Sequence, residues 1–280
     1  MEKYSPVAVI GLGEIGGILA AGIMERCGIP EDKVYLFDRH PEKRAALAVR
    51  FPKAHYTETQ QDALRSARCV ILCVQPERLP EILPVIQRET ATETNLFIST
   101  SNISVASAEE LSGRKVSKFL PTVNSAIGRG VIFAAHGERV TASERIFFRE
   151  LMGKFCRRYY EIPECDFALL NNLAGCAPAF LACFCQCLCR MACSMQTSLR
   201  PEQLEELFCE TFTAAGAWME AEGLNFRDVA GRIGKPGGIT CTAMAELEKG
   251  LPDTVSAMLC ASVRRHEEID KNIDSFMHGL

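Results

Sequence analysis

Three glycines and one aspartate near the N-terminus carry the first chemistry this chain suggests. In "VAVIGLGEIGG", Gly11, Gly13 and Gly16 follow the order G-x-G-x-x-G. That spacing suits a strand-to-helix turn that receives a dinucleotide pyrophosphate. The first glycine permits the tight turn, the second lets phosphate reach the backbone, and the third lets helix and strand pack closely. Leu12, Glu14 and Ile15 lie between them, and Glu14 is compatible with an anion site only if its carboxylate points away. Asp38 closes the next apolar run, 22 residues past Gly16. An acid there can accept hydrogen bonds from the ribose 2′-hydroxyl of NAD, and its charge repels the 2′-phosphate of NADP. Arg39 follows at once, with Lys43 and Arg44 near, and these cations keep NADPH open. The expected cofactor is NAD(P)H, with Asp38 leaning towards NADH.

A second stretch lies far downstream, "GKPGGITCTAMAELEKG", residues 234–250. Proline and glycine are poor inside helices, yet they stand directly ahead of a run with good helical composition. Bare N–H groups at Gly238 and Ile239, with a helix dipole behind them, would favour a small anion such as a carboxylate. A plain loop-to-helix junction is the other reading. Lys235 offers a cation beside it, or is a solvated loop lysine.

Fourteen cysteines invite a disulfide or metal reading, but disulfide scaffolds belong to short secreted chains. The dense patch "CFCQCLCRMAC", Cys183 to Cys193, fits a helix with Cys185, Cys189 and Cys193 on one face. One straight helix cannot surround a tetrahedral ion, so no metal is expected and the cysteines read as small buried apolar residues. Cys176 lacks a His or Asp partner for nucleophilic work. None of His40, His55, His136, His266 and His278 falls in a catalytic motif, which argues against chemistry needing a histidine base, such as 2-hydroxy acid oxidation.

The elements that would position these residues follow from patterning. Short apolar runs at 7–11, 33–38, 69–76, 95–101, 115–122 and 130–137 read as strands. Between them lie helical segments near 41–50 and 77–89. This alternation implies a mostly parallel sheet covered on both faces. Beyond about Ile162 the composition turns helical. A long apolar helix from Asp166 is bent at Pro178, another is capped by Thr197 or Ser198 ahead of Pro201, and a further long helix runs from Leu251 to the end. The fold class is α/β, a Rossmann-type doubly wound domain (1–162) followed by an all-α domain (163–280). Helices apolar on several sides need partners, and a second subunit is the natural one. Hydrophobic residues make up 48% of the chain and charged ones 24%, with net charge −4 and no basic block, which argues against nucleic acid. The segment ahead of the first apolar run is short and polar, and the apolar stretch 173–185 falls short of a membrane span. A cytoplasmic protein is expected, with no membrane partner.

With these features together, the chain resembles pyrroline-5-carboxylate reductase along nearly its whole length. The resemblance rests on "GLGEIGG", "VILCVQP" (family V-I-L-A-V-K-P), "FLPTVN" (M-P-N-T-P), "LAGCAPAF" (S-G-S-G-P-A-Y) and "KPGGITCTAMAELEKG" (S-P-G-G-T-T-x-A-x-L-x-x-L-E). It implies reduction of 1-pyrroline-5-carboxylate to proline with NAD(P)H. It also implies that Val74, Gln75, Pro76 and Pro121 join the glycine turn along the cofactor. Pro236, Gly237, Gly238 and Ile239 would cradle the substrate carboxylate with Lys235 and Cys176 nearby, and the Thr240 hydroxyl would face the imine nitrogen. A homodimer with interlocked helical domains, the turn beside the cofactor cleft, is expected, and higher assembly is open. Several positions depart from the pattern. Ile239 replaces the first threonine and Lys235 the serine. Ala174, Cys176 and Ala177 replace S, S and G, Phe180 the tyrosine, and Gln75 the lysine. Thr122, Val123 and Asn124 replace N-T-P. The alternatives are therefore a reductase of another imine, or a regulatory nucleotide-binding relative without turnover. A deazaflavin-dependent NADP reductase or a hydroxyacid dehydrogenase ranks behind them.

Overall fold

In the computed structural model, residues 4–100 and 102–277 are described, with side chains as far as residue 273. Ser101, His278 and the first three residues lie outside them. Eight strands form one sheet in the order β3-β2-β1-β4-β5-β6-β7-β8. They are β1 (Val7–Ile10), β2 (Val34–Phe37), β3 (His55–Tyr56), β4 (Cys69–Leu72), β5 (Asn95–Ser99), β6 (Lys115–Leu120), β7 (Val131–His136) and β8 (Arg158–Glu161). All neighbours pair in parallel except β6 and β7. The six strands expected from sequence are present, each trimmed at one or both ends. The two additional edge strands carry little apolar patterning, and their pairing depends on the sheet already being formed.

Strands buried on both faces appear as unbroken apolar runs rather than alternating ones. Along β1, Val7 and Val9 enter one core with Ile71, Phe97, Phe119 and Phe148. Ala8 and Ile10 enter the other with Val70, Leu72, Leu83 and Ile98. This period of two fixes strand register, since a one-residue slip would exchange every side chain between the cores. Helices α1 (Glu14–Arg26), α2 (Pro41–Arg50), α3 (Gln60–Arg65), α4 (Leu79–Glu89), α5 (Val105–Ser112) and α6 (Ala142–Met152) connect the strands. The α6 start carries a reciprocal cap, in which Thr141 N–H donates to Glu144 Oε2 (2.8 Å) and Glu144 N–H to Thr141 Oγ1 (3.3 Å).

The remaining helices are α7 (Phe167–Asn171), α8 (Ala177–Ser194), α9 (Pro201–Glu222), α10 (Phe226–Ile233) and α11 (Ile239–Met277). Between α7 and α8, residues Asn172–Cys176 form a π-helical turn. The irregularity thus falls just ahead of Pro178, where the missing N–H and ring leave the preceding turn unable to close tightly. Arg200, not Thr197 or Ser198, precedes the first turn of α9, and its N–H donates to Gln203 Oε1 at 3.1 Å. Thr197 Oγ1 instead accepts from Leu199 N–H, so it turns the loop. The final helix is longer than expected. It begins at Ile239 and continues through Pro252.

The chain divides into two compact units. One holds residues up to Gly175 and those from Val263 onward, and the other holds Cys176–Ser262. In the first, Asn102 Nδ2 donates to Asp270 Oδ1 (2.8 Å), tying the end of α11 to the loop after β5. Buried Lys118 pairs with Glu164 at 2.6 Å and donates to Ile103 O at 2.8 Å. In the second, α8 packs on α9, but of the patch cysteines only Cys189 is buried, with Cys183, Cys187 and Cys193 exposed. The expectation of buried cysteines therefore fails within a single chain for Cys183, Cys187 and Cys193, which the described residues leave uncovered. The apolar helical run is also longer than the 173–185 stretch expected. Glu164–Ser194 is long and apolar enough to cross a membrane by length and composition alone, a test that core helices of soluble proteins also pass, and 11% of its most apolar window is buried.

Candidate active site

The strand order reverses between β1 and β4, whose connections leave in opposite directions across the sheet. In doubly wound sheets the crevice outside the strand C-termini at this point is where ligands bind. Gly11 and Gly13 follow β1, Asp38 follows β2, and Cys73, Val74 and Gln75 follow β4. All of them line one cleft of about 270 Å³ together with Arg39.

The glycine turn meets each demand of a phosphate cradle. Gly11 sits at φ +90°, and a Cβ there would collide with the Cys73 carbonyl. A Cβ on Gly16 would strike the Gly11 carbonyl, so only glycine lets α1 pack this tightly against the turn. Gly13 is the opposite case, since nothing lies within 4 Å of its Cβ position and the approach to the backbone is open. Gly13 is also the N-cap of α1 and supplies no side-chain cap. The first-turn N–H groups therefore lack the side-chain acceptor that usually satisfies them, which is the electrostatic condition for holding a phosphate. These features fit a dinucleotide.

Asp38 is only 6% exposed, and its carboxylate is engaged by the turn itself. Oδ2 accepts from Leu12 N–H at 2.7 Å, Oδ1 accepts from His40 N–H at 2.9 Å, and Lys43 Nζ lies 3.6 Å from Oδ2. Burial by itself would raise its pKa. The His40 and Leu12 amides and the Lys43 charge outweigh that and hold the carboxyl below its ordinary value.

Other expected residues are not among those that line the cleft. Leu12 and Gly16 are buried, Ile15 is half-buried, and Glu14 is exposed on the first turn of α1. Pro76 opens a short 3-10 turn, Pro76–Arg78, and Pro121 follows β6. Several lining residues escaped the sequence reading, among them Phe37, Gln60, Cys73 and Arg78. Cys73 could have been found as the first residue past a central strand. Gln60 and Arg78 carry no local signal, because helix starts from elsewhere in the chain bring them in. Burial pushes the Cys73 thiol up to about 12, opposed by a hydrogen bond with Ser99, so it stays protonated and unreactive.

The second expected site lies in the other unit. Lys235-Pro236-Gly237-Gly238 is a β-turn closed by Gly238 N–H donating to Lys235 O at 2.9 Å. Proline at the second position and a glycine at φ +77° at the third are the arrangement of a type II turn. This accounts for the collar of prolines and glycines ahead of α11. It also corrects one expectation, because the Gly238 N–H is spent inside the turn. The amides at the helix start, from Ile239 onward, are those without an intrahelical carbonyl. Ile239 is 91% exposed and Thr240 half-buried. Thr242 Oγ1 donates to Gly238 O at 3.2 Å and steadies the first turn. Lys235 Nζ donates back to Gly231 O at 3.3 Å. Cys176 stands at the start of α8, half-buried, and burial raises its thiol pKa.

Fold and cleft together define a Rossmann-type, dinucleotide-binding domain, and the comparisons place it among oxidoreductases. Residues 6–103 match the family model described as NADP oxidoreductase, coenzyme F420-dependent, and residues 164–269 match that for pyrroline-5-carboxylate reductase dimerisation. Pyrroline-5-carboxylate reductase 3 of Macaca fascicularis is 24% identical over 266 residues, covering 93% of this chain and 95% of that protein. A solved pyrroline-5-carboxylate reductase from Coxiella burnetii superposes with a TM-score of 0.83 at 19% identity, covering 95% of this chain and 98% of the other. The Plasmodium falciparum pyrroline carboxylate reductase, solved with NADP bound, gives 0.79 at 18% identity, covering 94% and 97%. The two domain matches and the relatives aligned along the chain support membership of the pyrroline-5-carboxylate reductase family.

Proposed function

We propose that this protein reduces 1-pyrroline-5-carboxylate to L-proline with NAD(P)H, the last step of proline biosynthesis, in the cytoplasm. The observation that carries the reading is the pairing, in one chain, of an uncapped glycine-turn helix with a type II turn that opens a 39-residue helix. The dinucleotide-binding domain is residues 1–162, and residues 163–280 form the helical domain for substrate binding and dimerisation.

When bound, NAD(P)H would supply a hydride for the imine carbon, whose C=N bond would become C–N. The chain's part is to hold and to orient. Gly11, Gly13 and the first amides of α1 hold the pyrophosphate, with Val74, Gln75, Pro76 and Pro121 along the nicotinamide side. The amides of Ile239 and Thr240, backed by the α11 dipole, take the substrate carboxylate, and Lys235 adds a cation. The Thr240 hydroxyl contacts the ring nitrogen and can accept from the protonated imine or donate to the amine. An imine that enters protonated already carries the proton the product keeps, so no strong general acid is required.

The replacement of a family threonine by exposed Ile239 favours a second reading, a nucleotide-binding relative without turnover or with another imine. One experiment separates them. Oxidation of reduced nicotinamide is followed with 1-pyrroline-5-carboxylate and a panel of other cyclic imines. Turnover with the former, falling by about 10- to 100-fold in Thr240→Val and largely kept in Thr240→Ser, supports the reductase. Fully active Thr240→Val removes that residue from the mechanism, and nucleotide binding without turnover on any imine overturns the enzyme.

A further inference from the structure

An acid at the end of the second strand normally reads the ribose hydroxyls of NAD and turns NADP away. Asp38 occupies that position but is committed elsewhere. Both of its oxygens accept backbone N–H groups, one from inside the glycine turn and one from the following loop, and almost none of the residue reaches solvent. Lys43 stands 3.6 Å from the same carboxylate and offsets its charge. The side chains left facing the cleft at this end are Arg39, His40 and Lys43. Arg39 is exposed, and its Nε donates to His40 Nε2 at 3.1 Å, so the two stand together. The Lys43 side chain is 41% exposed. Arg44 plays no such part, because its guanidinium donates to Asp38 O, pairs with Glu58 at 2.9 Å and lies over the Phe37 ring. Two acids stand at the rim. Glu42 lies 3.4 Å from His40, and Glu81 is engaged by Arg78 at 3.1 Å.

We infer that the cofactor is NADPH, selected through its 2′-phosphate by Arg39, His40 and Lys43, while Asp38 clamps the glycine turn. The inference rests on the dinucleotide-dependent reductase proposed above. It reverses the lean towards NADH that Asp38 alone suggests. A guanidinium and an ammonium beside a buried carboxylate whose oxygens are taken by backbone amides place cationic donors where a phosphate dianion would sit. Without that phosphate, the same cations gain nothing from a neutral hydroxyl.

The test is calorimetric binding of NADP+, NAD+ and 2′,5′-ADP to the purified protein, independent of turnover. NADP+ is expected to bind about tenfold or more tightly than NAD+ and to weaken more steeply with added salt. Arg39→Gln and Lys43→Gln should each lower NADP+ and 2′,5′-ADP affinity by about tenfold and leave NAD+ within about twofold. Asp38→Asn should weaken both dinucleotides by the same factor. NAD+ binding more tightly than NADP+ in the unaltered protein, or Asp38→Asn weakening NAD+ alone, overturns the inference and leaves the reductase standing. Failure to bind any of the three ligands overturns both. The exposed Arg39 and Lys43 variants keep the test decisive if Asp38→Asn does not fold.

Discussion

His136 shows how a histidine can be present without doing acid–base work. It ends β7 with its side chain 1% exposed. Nδ1 lies 2.7 Å from Ser117 Oγ and Nε2 lies 3.1 Å from Tyr159 Oη, while the ring edge meets Phe148. Serine, histidine and a further polar partner resemble a nucleophile relay on paper, yet Ser117 is 1% exposed and no substrate could reach it. Burial depresses the His136 pKa from 6.5 to about 4. Glu161 opposes this, and Arg145 and Arg149 assist it. The unfolded chain therefore binds a proton between those two values that the folded chain refuses, and stability must rise with pH across that window. As pH falls from above 6.5 towards 4, the contribution lost approaches ~3 kcal/mol, at ~1.4 kcal/mol for each pH unit. Denaturant titrations at stepped pH should show this slope in the unaltered protein and a shallower one in His136→Asn. Equal slopes would mean that the histidine is solvated or charged in the fold.

At the scale of the element, the strand–turn–helix of β1 and α1 makes separable predictions for its glycines. Gly16→Ala would drive a methyl into the Gly11 carbonyl, and neither backbone can yield without moving α1 off the sheet. A loss of about 1–3 kcal/mol of stability is expected, with weaker nucleotide binding as a consequence. Gly13→Ala meets open space in this structure and should melt within a degree or two of the unaltered protein. Its methyl instead stands where phosphate approaches, so NADP+ affinity should drop with no change in stability. Thermal melts and calorimetry on the pair decide the matter, and a Gly13→Ala variant that binds normally would move the pyrophosphate away from this turn. Such elements were legible because their constraints are local. Gly11, Gly13 and Gly16 signal the turn, and unbroken apolar runs signal the buried strands. Pro236 and Gly237 signal a turn, but not that it consumes the Gly238 amide. The two-residue β3 and the polar β8 exist only because an edge was available to them. Asp38 was legible by its position, but the engagement of both its oxygens by backbone N–H groups was not, since sequence gives the place of a carboxylate but not the direction in which its oxygens face.

At the scale of the whole molecule, one chain leaves too much apolar surface uncovered. Along α8, Leu181, Phe184 and Met191 are 46%, 40% and 53% exposed, spaced so that they share a helical face. Leu207 and Phe212 on α9 and Leu251 on α11 add to it, at 45%, 36% and 39%. Covering a side chain of this kind contributes about 1.5–3 kcal/mol, so a handful can support a stable interface after association costs are met. A bilayer could cover the same surface, since the helical run Glu164–Ser194 has the length and composition to span one. The match of residues 164–269 to a dimerisation family favours a second copy of the chain. The protein purified without detergent should then show a solution mass of twice the 30.9 kDa chain. Leu181→Asp with Phe184→Asp should shift it towards the single-chain mass, because each buried carboxylate without a partner costs several kcal/mol. The cleft residues, from Ile10 to Ile82, lie in the other compact unit, so NADP+ binding should survive in that variant. A single-chain mass for the unaltered protein at micromolar concentration, or recovery only with membranes, would rule out the dimer. Loss of turnover with retained NADP+ binding in the double variant would assign the substrate half of the reaction to the assembled helices.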